Sequence, residues 1–309
     1  MMRLPRLASL ALVSLTLGCG ATPKVVVQPS TPVAPPPGAD FAALVKEGDE
    51  HWAKRDARAE LEAAISSWEK AVAIKADDAE TLVKLTRGVY LLADGHLAFG
   101  SAGSGKYTTF EGDEAGKLKY LELHEKGITL GQRAIAALSP AIKQRLDAGA
   151  PVEEVVDQVD KGGIPALYWY TSNLGKWANA QGFTTVLKYK NKIKRNIERC
   201  LALDEHFFYS APHRYLGVIF AKAPAIAGGD MGEAKKHFDA SLANSPSYLA
   251  TRVLWAEFYA VKAEDKEGFR RELEHVLKQA DDVLPEILAE NRIEKRKAQS
   301  LLSQIDEKF

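Results

Sequence analysis

Cysteine is almost absent from this 309-residue chain, with only Cys19 and Cys200 present. That excludes a disulfide framework, because Cys19 has the separate role argued below and Cys200 is left without a partner. Cys200 falls within Ile197-Glu198-Arg199-Cys200-Leu201, where paired helices need small residues, and it reads as a buried inert thiol. A charge excess is also missing. Loss of a leader containing Arg3 and Arg6 takes 41 basic residues to 39, against 41 acidic ones. Nucleic acid is excluded as a partner, because its binders carry a basic surplus on one face. The nearest basic run, Lys188, Lys190, Lys192 and Lys194, spreads around a helix as a solvated surface. No apolar stretch reaches the roughly 20 residues that span a bilayer as a helix. Sustained apolar/polar alternation, the signal of strands, is not found. Histidines occur at His51, His96, His124, His206, His213, His237 and His275, but none falls into a paired helical spacing with carboxylates that would build a zinc site, so no metal centre or cofactor is expected. No serine sits in a nucleophile elbow, and the chain is not expected to be an enzyme.

What is present begins with Arg3 and Arg6, followed by the short apolar stretch Leu7 to Leu17. This is a secretory leader. It ends in Leu15-Thr16-Leu17-Gly18-Cys19, which resembles a lipobox, so residues 1–18 are expected to be removed and Cys19 lipidated. Gly20 is not the aspartate associated with inner-membrane retention, which favours the outer membrane. Residues 19–39 are rich in Pro, Val, Thr and Ser, with Pro35 to Pro37 consecutive. That composition gives an extended tether. Residues 40–309 form the folded domain.

Amphipathic runs of helical period cover that domain, which predicts an all-α fold. Helices are expected near Asp40 to Lys54, Ala57 to Ile74, Ala79 to Ala93, Ser247 to Val261, Lys266 to Ala280 and Leu284 to Glu307, the last as a cap. Ala234, Phe238, Ser241 and Pro246 have the offsets of the second helix of a tetratricopeptide (TPR) repeat. The small residues admit a neighbouring helix, Phe238 fills the gap, and proline ends the helix. Ala64, Trp68 and Ala71 repeat the spacing behind Gly48 and Trp52, and Ile193, Ile197 and Cys200 repeat it again. About four helix pairs stacked as an α-solenoid result. Two segments interrupt the array: 98–112, rich in Gly and Ser, and 148–163, where glycines bracket a short acidic helix.

Gly100 to Tyr107 has the glycine and lysine spacing of a phosphate-binding loop. It lacks the preceding strand and places Tyr107 where the magnesium-binding hydroxyl belongs, so it is read as a plain loop. The segment Ile164 to Tyr170, leading on to Trp177, concentrates aromatic surface. Tyr168, Trp169, Tyr170 and Trp177 read either as helix core or as the wall of an apolar ligand or partner site. His213, behind Pro212 in a helical first turn, either contacts a ligand or satisfies a neighbour. Trp255 and Tyr259 lie on a helix that is apolar nearly all round, which requires cover on more than one side.

Taken in order, Tyr168-Trp169, Leu203-Asp204-Glu205, Pro212-His213, Gly228-Gly229-Asp230, Ala234, Phe238, Ala256-Glu257, Tyr259, Phe269, Ala298, Leu301 and Leu302 resemble the TatT family, the T components of tetratricopeptide-associated TRAP transporters. The resemblance runs from about Ala57 to Phe309. It implies a lipid-anchored periplasmic accessory protein that binds the substrate-binding P component, forms a homotrimer with an apolar passage, and handles small hydrophobic ligands such as fatty acids or other lipids. The ligand or partner surface would include Tyr168, Trp169, Tyr170, Trp177, His213, Trp255 and Tyr259. The alternative is a TPR lipoprotein scaffold for envelope assembly with no small-molecule ligand. Segments 98–112 and 148–163 are this chain's departures from the family pattern.

Overall fold

The computed structural model describes residues 20–24, 38–100, 106–108, 110 and 112–309. Cys19, the leader and most of the proline-rich segment lie outside the described residues, as do 101–105 of the glycine-rich loop. The fold is all-α, with no strand among the described residues. In chain order the helices are α1 (Phe41–Trp52), α2 (Arg58–Ile74), α3 (Ala79–Leu91), α4 (Glu114–Ala136), α5 (Pro140–Asp147), α6 (Ile164–Gln181), α7 (Phe183–Leu203), α8 (Phe207–Lys222), α9 (Met231–Asn244), α10 (Leu249–Leu254), α11 (Lys266–Lys278), α12 (Leu288–Leu302) and α13 (Ile305–Lys308). Side-chain caps begin several of them. Asp40, Asp78, Asp113, Ser139, Asp230 and Asp265 each accept a backbone N–H of the following first turn, satisfying donors that the helix leaves unpaired.

Successive helices stack on one another, α1 on α2, α3 on α4, α6 on α7 and α8 on α9. The expected packing positions are where this stacking is tightest. Ala64, Ala71, Ala234, Phe238, Ser241, Ile197 and Cys200 are all buried, as is Trp68. Gly48 faces the Trp68 ring so closely that a Cβ there would lie 2.4 Å from it. Gly217 of α8 stands in the same relation to Phe238 of α9, at 2.8 Å.

The array does not stay open. Beyond packing on α10 and α11, α12 reaches back to the N-terminal third. Its Glu290 pairs with Arg55 at 2.7 Å and Arg87 at 2.8 Å, and Lys297 pairs with Asp94 at 2.6 Å. Ile293 packs against Gly95, where a Cβ would fall 2.5 Å from its Cδ1. The superhelix thus curls until its ends meet, and α12 closes a ring rather than merely capping a stack.

Several elements depart from the expected outlines. α3 runs into a π-helical segment, Leu92–His96, and α10 into another, Trp255–Ala260, so the helix expected over Ser247 to Val261 is right-handed but not uniformly α. α8 opens with Phe208, Tyr209 and Ser210 in the left-handed region, at φ of 42°, 58° and 56°. The right-handed helix starts only after them, with Pro212 in its first turn. The segment 148–163 holds three 3₁₀ turns instead of a short acidic helix. Its valines Val152, Val155, Val156 and Val159 are buried, while Glu154, Glu153 and Asp157 pair with Arg145, Lys192 and Arg195. β-branched residues disfavour a helix, and core contacts on one side with ion pairs on the other fix the tighter turns. The lysine run of α7 is accordingly engaged: Lys192 with Glu153, Lys194 with Glu198, and Lys188 with the carbonyls of Gly20 and Ala21.

Candidate functional site: an aromatic-walled cavity

Closing the ring leaves a cavity of about 200 Å³ between α3, α6, α7, α8, α10 and α12. A single buried water needs only roughly 15 Å³, so this is no packing defect. Its aromatic wall is a chain of ring contacts. Trp169 meets Tyr90 at 5.4 Å, Tyr168 at 5.0 Å and Phe208 at 5.3 Å, and Phe208 meets Tyr248 at 5.8 Å. The left-handed turn aims Phe208 into this wall, and Arg214 secures the turn by donating to the carbonyls of Phe208 at 3.0 Å and Tyr209 at 2.7 Å. Arg214 also lies over the Tyr248 ring at 4.3 Å. Three consecutive left-handed residues without a glycine are costly. Such strain persists where the surroundings over-determine it, often beside a functional site.

Of the four acids lining the cavity, Glu290 and Glu294 come from α12 and Asp94 and Glu257 from the two π segments. A π turn widens the helix and rotates the residues after it, turning Asp94 and Glu257 inward. Asp94 is 4% exposed, with Lys176 at 2.5 Å and Lys297 at 2.6 Å. Burial works against its charge, but the two ammonium groups outweigh burial and hold its carboxyl far below the usual range. Glu257 is different, making no hydrogen bond or ion pair among the described residues. Burial raises its pKa against the opposing pull of Lys176, Lys297, Lys308 and Lys222. Lys222 also lines the cavity, bonded to the amide oxygen of Asn179 and to no carboxylate, and burial lowers its pKa. The site therefore combines an apolar aromatic body with polar groups, among which Glu257 and Lys222 lack ionic partners among the described residues.

Of the aromatic residues expected at a ligand or partner surface, Tyr168 and Trp169 line the cavity. Tyr170 faces the other way, against Gly131 of α4, and Trp177 packs on Tyr189 at 5.9 Å while donating to Glu125 at 3.0 Å. Trp255 and Tyr259 belong to a second core around Phe238 and Phe269, and from their segment it is Leu254, Glu257 and Phe258 that line the cavity. His213 lies outside it, with Nδ1 3.0 Å from His237 Nδ1 and Nε2 3.2 Å from Glu205. Its neighbour Arg214 is the lining residue. Lys106 of the glycine-rich loop pairs with Glu307 at 2.5 Å, and Tyr107 is buried beside Asp94. Among the described residues no group of three or more His, Cys, Asp or Glu is placed to hold a metal.

Phe208, Tyr248, Asp94, Glu257, Lys222 and Arg214 were not reached from sequence. Two carried a usable signal, since Asp94 directly follows the apolar run Val89 to Ala93 and Glu257 is a single acid within Trp255 to Tyr259. An acid in such a run is buried against a partner or turned into a cavity.

No curated protein matches the chain. A family model described as TRAP transporter T-component matches residues 102–309. That span holds most of the cavity wall, from Tyr107 through α6, α7, α8 and α10 to Lys297 of α12. The chain belongs to the TRAP transporter T-component family.

Proposed function

We propose that the protein is a lipid-anchored periplasmic component of a TRAP-type transport system that holds a small hydrophobic ligand in the α12-closed cavity and docks on the substrate-binding P component. Family membership supplies the transport context and supports an accessory role. The cavity supports the ligand: an aromatic wall removes an apolar body from water, worth about 25 cal/mol per Å² of apolar area buried. Glu257 and Lys222 supply the few polar groups that orient a ligand in such a site. A scaffold for envelope assembly needs only exposed helix faces, and closure of the ring over a cavity favours the ligand-binding reading over it. Lipidation of Cys19 places the protein at the outer membrane, and assembly into a homotrimer joins three such cavities.

Native mass spectrometry of the mature protein tests this by recording assembly mass and co-purified small molecules together. A trimer carrying lipid-like ligand, with heat released on titration with the P component, is the expected result. An empty monomer that gives no heat with either P component or fatty acid overturns it.

A further inference from the structure

The segment after the anchor position is bound to the body. Gly20 sits against the backbone of Thr184 and Thr185, where a Cβ would lie 3.1 Å from the Thr184 carbonyl oxygen. Ala21 N–H donates to Thr185 Oγ1 at 3.2 Å. The Lys188 ammonium gathers the Gly20 carbonyl at 2.8 Å, the Ala21 carbonyl at 3.2 Å and Thr22 Oγ1 at 2.7 Å. Lys24 N–H then reaches Glu125 of α4 at 3.3 Å. Gly20, the first residue after the expected anchor, is thus held against the first turns of α7.

That turn is also the rim of the cavity. Phe183, Val186, Leu187 and Lys190 line the cavity along one face of α7, while Thr184, Thr185 and Lys188 on the adjacent face carry the N-terminal segment. Phe183 is 56% exposed and Leu187 38%. Across the mouth, Ala223 and Pro224 lead into the turn Ala225–Ala227. Lys190 ties that turn to α7 through the Ala227 carbonyl, and Ile226 at its tip is 99% exposed. Leu118, 57% exposed in the first turns of α4, lies at the same end, because Glu114 and Lys117 line a small cleft with Asn179 and Ala180 of α6. Thus four of the six large apolar side chains exposed among the described residues cluster where the N-terminal segment docks. The opposite end of α4 reaches the turn after α2, where Arg133 donates to the Ala76 carbonyl at 2.8 Å. The two ends are separated by the length of α4, roughly 35 Å for its 23 residues.

We propose that this end of the molecule lies on the membrane, with Phe183, Leu187 and Ile226 entering the phospholipid interface and the cavity mouth opening onto the bilayer. Scattered surface apolar residues need no explanation, but a cluster around the opening of an apolar cavity does. The docked segment says what covers it, because an anchor preceding Gly20 brings the bilayer to this rim and to no other part of the fold. An apolar ligand then passes between bilayer and cavity without crossing water. The inference rests on lipidation at Cys19.

The test uses the full lipidated protein on phosphatidylethanolamine and phosphatidylglycerol vesicles, with an environment-sensitive dye at Phe183→Cys, Ile226→Cys or, as the far-end control, Ile74→Cys. Cys200 is buried, and burial raises its thiol to about 12, so it does not compete for the label. The expected result is blue-shifted emission at positions 183 and 226, quenched by doxyl-labelled lipid, with position 74 unshifted and unquenched. Failure of the protein to float with vesicles removes the anchor and this orientation together. Flotation with all three dyes in water leaves the anchor standing and overturns the orientation. Emission that shifts only on addition of the P component assigns the rim to a protein partner and overturns it as well.

Discussion

Asp94 and Lys297 are 203 positions apart in the chain and 2.6 Å apart in space. They join the π turn after α3 to α12, and each side chain is about 5% exposed. Lys176 completes the group from α6. Lys297 also pairs with Glu294 at 2.8 Å, whereas Asp94 is the one carboxylate paired with the partly buried Lys176 among the described residues, so Asp94→Asn keeps the shape while removing the ionic partner of Lys176 and one of the two partners of Lys297. Breaking a buried pair in this way costs about 3–5 kcal/mol. Urea unfolding of Asp94→Asn is expected to show a loss of that order with an unchanged slope. A loss under about 1 kcal/mol, the worth of an exposed pair, would mean that water reaches the group and the ring is not closed there.

How much of this was legible in the sequence depends on the distance over which each signal acts. The helix pairs were, because Ala234, Phe238 and Ser241, like Ala64, Trp68 and Ala71, repeat within one helix at 3.6-residue spacing. The cavity was not, because Trp169, Phe208, Asp94 and Glu257 come from four different elements and meet only when the ring closes. Tyr168 and Trp169 were found as an aromatic concentration, but periodicity alone could not separate them from Tyr170 and Trp177, which face the core. Trp255 and Tyr259 lie on a helix that is apolar nearly all round, a pattern that does not tell which side meets the cavity, and in the π turn it is Glu257 and Phe258 that line it. Nor does the left-handed turn at Phe208, Tyr209 and Ser210 announce itself, since it contains no glycine.

His124 of α4 gives a pH prediction. Its Nδ1–H donates to Asn173 Oδ1 at 2.9 Å, and its Nε2 is buried without a partner. Burial lowers its pKa from 6.5 to about 4, so the folded protein keeps the ring neutral where the unfolded chain takes up a proton. Its contribution is therefore complete above pH 6.5, falls as pH drops, and levels off below about pH 4, a total near 3 kcal/mol at about 1.4 kcal/mol per unit. His124→Gln retains an amide donor for Asn173 and removes the titration. Stability measured from pH 7 to pH 4 is expected to fall more steeply in the parent protein than in this variant, and parallel curves would refute the assignment.

Ser210 offers a stabilising change. It is fully buried at φ 56°, and its Oγ has no hydrogen-bond partner. Its backbone contacts, to the His206 carbonyl and from Ser241 Oγ, do not need the side chain. Ser210→Gly removes a left-handed penalty of roughly 1–2 kcal/mol and an unsatisfied hydroxyl, offset by the larger backbone entropy of glycine in the unfolded chain. A net gain of about 1 kcal/mol in thermal or urea unfolding is expected. A loss would show that the turn is held in its conformation without strain.

Gly217→Ala separates helix propensity from packing. Propensity alone favours alanine by about 1 kcal/mol. The new methyl, however, would lie 2.8 Å from the Phe238 ring, which is itself fully buried. Overpacking costs about 1–3 kcal/mol, so a net destabilisation near 1 kcal/mol is expected. A stabilised variant would mean that α8 and α9 can separate freely, contrary to the close approach their small residues create.

The cavity itself is tested by filling it. Val218 of α8 lines the space and is only partly buried, so a larger side chain there has room to extend into the cavity rather than into packed neighbours. Val218→Trp is expected to keep the helical circular dichroism spectrum and lose no more than about 1–3 kcal/mol of stability. Binding of a hydrophobic fluorescent probe such as N-phenylnaphthylamine should weaken at least about tenfold, the equivalent of about 1.4 kcal/mol. Glu257→Gln in the same assay should leave a neutral probe bound while altering affinity for ligands with a charged head, because it changes only one of the polar groups. If Val218→Trp binds the probe as the parent does, the probe sits elsewhere on the surface, and the cavity loses its standing as the ligand site.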